Sequence, residues 1–150
     1  RHGAAPLNAR ELSILLTSCA DVATLRGLAF DAARVEEFNH SHFMDTLRKT
    51  RSLRQRDAGT TDDAKHVAEQ LLSKFKHLER DFSPANITEI LIHVGQSGLA
   101  PRPDYLEAVF QRALEIARQM GRGDPWFVGA LTACKKLEVD PDSELVRTLR

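Results

Sequence analysis

Apolar residues along this chain recur at three- and four-residue steps almost from end to end, the period of an α-helix that buries one face. Leu12, Leu15, Leu16 and Cys19 follow the i, i+3, i+4, i+7 pattern, with Asn8 as an N-cap and Glu11 three residues on as its capping-box partner. Asp21 is placed to cap a second segment carrying Val22, Leu25, Ala29 and Ala32. A third starts near Asn39 and carries Phe43, Leu47, Thr50 and Leu53, until Asp57-Ala58-Gly59-Thr60-Thr61 breaks it. Thr61-Asp62-Asp63 puts a cap and two acids at the positive end of a fourth, whose stripe of Ala64, Val67, Ala68, Leu71, Leu72, Phe75 and Leu78 is the cleanest in the chain.

The second half repeats these signals with prolines added. Ser83-Pro84 is a cap followed by proline at the first helical position, where a missing N–H costs nothing. Ile87, Ile90, Leu91 and Val94 form the stripe, and Gly95 and Gly98 end it. Pro103-Asp104 starts the next segment, with Leu106, Val109, Phe110, Ala113, Ile116, Ala117 and Met120, closed by Gly121 and Gly123. Asp124-Pro125 opens another with Phe127, Leu131, Cys134 and Leu137, and Asp140-Pro141 opens the last with Leu145, Val146 and Leu149. No stretch alternates with the β-branched enrichment a strand needs. The expectation is an all-α fold of eight helices in four antiparallel pairs, over 8–36, 39–78, 83–120 and 124–150, in a single domain.

The pairs resemble one another. The caps Asn39, Ser83 and Asp124 lie 44 and 41 residues apart, and Pro103-Asp104 and Pro141-Asp142 lie 38 apart. Two-helix periods of this size mark α-solenoids, in which each pair stacks on the next. The alternative is a plain helical bundle whose caps happen to recur.

Composition narrows the possible functions. The 150 residues carry 21 basic and 21 acidic side chains, a formal charge of zero, so general affinity for phosphate should be modest. Two cysteines cannot make a disulfide framework, and both Cys19 and Cys134 fall on apolar stripes as small core residues. No apolar run approaches the roughly 20 residues that span a bilayer, so direct membrane insertion is not expected. The chain begins at Arg1 rather than Met, as a processed or truncated chain would, and no targeting peptide is readable.

No nucleophile elbow, phosphate-binding glycine loop, His-Glu-x-x-His or paired Cys-x-x-Cys is present, which points away from an enzyme and from a metal or cofactor. His40 and His42 stand two apart near a helix start and suit local hydrogen bonds. The densest charge cluster is Arg48, Lys49, Arg51, Arg54 and Arg56, with Arg48, Arg51 and Arg54 candidates for one shared face. Such a cluster can grip RNA phosphates or an acidic protein surface, or can simply be a solvated helix face. Trp126 and Phe127 are consecutive, so a helix turns them about 100° apart. Either one is presented outward as an anchor for a partner, with Trp126 the candidate, or both are buried between neighbouring pairs.

The helix-pair pattern, with Ser83-Pro84-Ala85-Asn86-Ile87 and Asp124-Pro125-Trp126-Phe127-Val128-Gly129-Ala130-Leu131-Thr132-Ala133-Cys134, resembles pentatricopeptide-type and related organellar helical repeats. Those families bind RNA or serve as protein-binding subunits in mitochondria and chloroplasts. Within that class, a short, charge-neutral chain of this mass is similar to the euglenozoan eighteen-kilodalton subunits of mitochondrial F1-ATPase. The resemblance implies a mitochondrial, non-catalytic subunit attached to the outside of the F1 headpiece through the α subunits, with no cofactor of its own. The alternative it leaves open is a short RNA-binding repeat protein of a mitochondrial ribosome or RNA-processing complex.

Overall fold

A computed structural model describes residues 9–30, 38–56, 61–96 and 103–150, with side chains over 9–26, 38–55, 62–93 and 106–150. These residues form eight helices: α1 (Ala9–Ser18), α2 (Val22–Phe30), α3 (His40–Arg56), α4 (Thr61–Leu78), α5 (Pro84–Gln96), α6 (Pro103–Gln119), α7 (Trp126–Lys136) and α8 (Glu144–Leu149). No strand occurs among the described residues, and the chain is all-α as its periodicity predicts. The expected cap Asn8, the side chains of Ala29 and Val94, and Ala32, Gly98 and most of the Asp57–Thr61 break lie outside the described residues.

Packing gathers into two compact units that divide within α4, one running to Leu71 and the other from Leu72 to Arg150. In the first unit α1 packs on α3, and α2 packs on both. Leu12, Leu16, Val22, Leu25, Phe43 and Leu47 are buried here, and Leu15, expected on the same face, is half-buried. Asp21 caps α2 as predicted, accepting the Thr24 N–H at 2.7 Å. Arg26 on α2 reaches Asp63 in the first turn of α4 at 3.0 Å.

The start of α3 is a reciprocal cap with an unusual partner. Asn39 Oδ1 accepts the N–H groups of Ser41 and His42, at 2.9 and 3.2 Å, and the Asn39 N–H donates to His42 Nδ1 at 3.0 Å. His42 therefore occupies the third helical position and plays the role a glutamate usually plays there. The other ring nitrogen, Nε2, donates to the Ala9 carbonyl at 2.9 Å, and the buried imidazole joins the N-terminal ends of α1 and α3. Both ring nitrogens are satisfied in one neutral tautomer, so burial costs this side chain little.

In the second unit α5 packs on α7 and α6 on α8, while α5 meets α6 and α7 meets α8. Ser83 and Asn86 form a capping box at α5, each side chain accepting the other's backbone N–H at 3.1 Å. Phe75 and Phe82 stack nearly parallel, centroids 5.3 Å apart. At α7 the cap works with a tightened first turn: Asp124 Oδ1 accepts the Trp126 N–H at 2.9 Å, and the Phe127 N–H bonds the Asp124 carbonyl three residues back.

Asp140-Pro141 does not open the last helix. The Ser143 N–H bonds the Asp140 carbonyl at 3.0 Å, closing a turn with Pro141 at its second position, where proline's fixed φ fits as well as at a helix start. Ser143 is extended (φ −64°, ψ 151°) and caps α8 by accepting the Val146 N–H. The first residues of α6 and α8 are thus 41 apart, the same spacing as the caps Ser83 and Asp124.

Between α7 and α8 the chain turns through Glu138, whose φ of 57° is left-handed. The Glu138 N–H bonds Lys135 and the Val139 N–H bonds Cys134, the double closure that usually places glycine at this position. Replacing Glu138 with glycine should therefore raise stability by about 0.5–1 kcal/mol, read as an upward shift of the thermal midpoint. A lowered midpoint would mean the glutamate side chain supports this turn.

Candidate protein-docking groove

Asp45, Arg48, Lys49 and Ser52 stand at i, i+3, i+4 and i+7 on α3 and form one ridge of that helix. Where this ridge faces the end of α1, it encloses an open groove of about 270 Å³ with Leu16 and Thr17 on the opposite wall. The groove exists because Phe43, Leu47 and Thr50, on the other side of α3, are drawn into the core and hold the ridge at the surface.

The basic cluster is not one face. Arg48 and Arg51 are exposed. Arg54 lies six positions beyond Arg48, about 240° round the helix, and is half-buried on the core side between Leu47 and Thr50. Arg54 therefore does not share the face of Arg48 and Arg51, because three-residue steps drift backward round the helix as they accumulate. The Arg56 side chain lies outside the described residues. Lys49 donates to the Thr17 carbonyl at 2.9 Å. That carbonyl is in the last turn of α1, where backbone acceptors are orphaned and the helix dipole is negative, so Lys49 closes the helix end. The groove thus carries an outward arginine, a lysine tied to the backbone and a carboxylate, Asp45, over a leucine floor.

Trp126 is not presented outward. It is half-buried, and its indole N–H donates to the Pro84 carbonyl at 2.8 Å, fastening α7 to the first turn of α5. Phe127 is buried beside it with the rings edge-on at 5.7 Å. Gly129 lies in the same seam, where an added Cβ would meet Thr88 Cγ2 at 3.4 Å. The large apolar side chains exposed among the described residues are Ile14 (56%) and Val128 (72%), each standing singly, which is ordinary for a protein surface.

Both cysteines are buried and free. Burial raises the Cys19 thiol above its ordinary value, with Lys49 pulling the other way, and pushes Cys134 up to about 11. Neither is an activated nucleophile. Asp21 is held below the usual carboxylate range by the N–H of Thr24, as its capping role requires. Among the described residues no group of three His, Cys, Asp or Glu side chains gathers as metal ligands would, and no helix is long and apolar enough to cross a membrane.

The partners of the groove were not readable from local pattern, because α1 and α3 meet across about thirty residues of chain. The Asp45–Ser52 ridge was readable, as a helical stripe of polar residues opposite the apolar one. No protein-family model, no curated protein and no solved structure matches this chain.

Proposed function

We propose that this chain is a non-catalytic, protein-binding subunit of a mitochondrial assembly, built as an α-solenoid of about four antiparallel helix pairs. Support for the repeat reading comes from the second unit, where odd helix packs on odd and even on even, and where the odd helices start 42 and the even helices 41 residues apart. A stack of like pairs produces that order of contacts.

The observation that carries the function is Asp45 in the α1–α3 groove. A track for nucleic-acid phosphates gains by lining itself with cations alone, and a carboxylate there repels each phosphate it meets. A protein surface offers both signs and apolar side chains together, and a groove with Arg48, Asp45 and Leu16 suits it. The partner is a protein face of mixed charge whose carboxylates meet Arg48 and Arg51. The mitochondrial setting, and the α subunit of the F1 headpiece as the specific partner, come from the resemblance of the helix pairs.

Charge reversal tests the reading. Arg48→Glu/Arg51→Glu alters two exposed side chains and should leave the helical spectrum and the melting midpoint unchanged. Recovery of the native complex by the double variant should fall severalfold, through slower association. Submicromolar RNA binding at physiological salt that depends on the two arginines, with complex recovery intact, would overturn it in favour of an RNA-binding repeat.

A further inference from the structure

The second unit carries a different cleft, of about 240 Å³, between α6 and α8. Its floor is apolar, from Phe110, Leu114, Val139 and Leu145, and its rim carries the carboxylates of Glu107 and Glu144. No cationic side chain lines it. Gln111 donates to Glu107 Oε1 at 2.9 Å and so orients that carboxylate. Glu144 is paired with Arg118. The turn leading into the cleft adds three exposed acids, Glu138, Asp140 and Asp142, on either side of Val139.

We propose that this cleft is a second docking surface, which takes a lysine or arginine side chain from a basic segment of a partner protein. The argument is charge and shape together. A long basic side chain lays its methylenes along apolar surface and keeps its charged end at the edge, the arrangement this floor and rim complement. Phe110 in the floor adds an aromatic face that a guanidinium favours. A wholly apolar side chain would cover Glu107 without giving its charge a counterion, and an acidic one would be repelled by the rim. Arg118 already shows the local preference, since it brings an arginine to the rim carboxylate of Glu144. Covering the cleft with a partner arginine would repeat that pairing at Glu107. The site lies on α6 and α8 and does not depend on the α1–α3 groove.

The test uses the full chain and three labelled peptides of equal length: alternating leucine–arginine, leucine–glutamine and leucine–glutamate. The arginine peptide should bind, with nuclear magnetic resonance shift changes centred on Phe110, Val139 and Leu145. Glu107→Lys, an exposed helical position that should not affect folding, should weaken binding about tenfold. Arg118→Ala should strengthen it by releasing Glu144. Four results would overturn the proposal: no binding of the arginine peptide, equal binding by Glu107→Lys, equal binding of the glutamine peptide, or shifts confined to the acidic turn and absent from the floor. Self-association of the chain that Glu107→Lys abolishes would also overturn it, by making a second copy the occupant.

Discussion

Replacing Phe75 by alanine should lower the unfolding free energy by about 3–5 kcal/mol, the largest single effect expected in this molecule. Phe75 is fully buried, one turn after Leu71 on the long stripe of α4, and it stacks on Phe82 just before the cap of α5. The loss has two parts: the transfer of a large aromatic group back to water, and the void left against a ring that cannot follow it. Against a total of about 5–15 kcal/mol for a domain, such a loss removes a large share of stability. Denaturant unfolding followed by circular dichroism measures it directly. Lys76→Ala, one residue on and largely exposed, is the control and should shift stability by less than about 0.5 kcal/mol. Equal shifts for the two variants would show that the stripe of α4 is not packed as described.

The second large effect is expected at His42. Leucine there fills similar space but removes the acceptor for the Asn39 N–H and the donor for the Ala9 carbonyl. The Asn39 N–H would be left without its acceptor and the Ala9 carbonyl would lose its link to α3, for a loss of about 1–3 kcal/mol. His42→Gln should recover part of the loss, because glutamine at the third helical position reaches back to the cap N–H. Amide hydrogen exchange separates this from general weakening: the Asn39 amide should lose protection in the leucine variant and regain it with glutamine. Unchanged Asn39 protection in His42→Leu would remove the capping role.

His42 also marks the boundary of what sequence can disclose about this fold. Its position three residues beyond Asn39 was legible as a local hydrogen-bonding role. Its bond to Ala9 was not, because nothing in the third segment specifies which carbonyl thirty-three residues earlier will be near. The same division runs through the rest. Asp21, Asn39 and Ser83 were legible as caps because a cap is decided within four residues. Leu71 and Phe75 were legible as core because the stripe they belong to is long. The last helix was placed too early, at Asp140-Pro141, because proline at the second position of a turn and proline at the first position of a helix present the same dipeptide. The left-handed Glu138 carried no signal at all, since the usual glycine is missing.

The candidate site follows this pattern. Arg48, Arg51 and Arg54 were read from their spacing as candidates for one face of a basic cluster, and the structure leaves Arg48 and Arg51 at the surface and Arg54 half-buried. Asp45, on which the proposal of a protein rather than a phosphate partner rests, gained its meaning only when α1 closed the other wall. Trp126 shows the reverse. An aromatic beside Phe127 could be an anchor for a partner or be buried between helix pairs, and its indole is bonded to a carbonyl 42 residues earlier.

That bond makes the protein's one tryptophan an optical probe of a single seam. An indole that donates to a carbonyl from a half-buried position emits differently once water replaces that acceptor. Fluorescence will therefore report the parting of α5 from α7 in the second unit and will be silent about α1–α3 in the first. Far-ultraviolet circular dichroism sums both units. Coincident midpoints from the two signals would mean that the units melt as one cooperative body, and separated midpoints would give each unit its own stability.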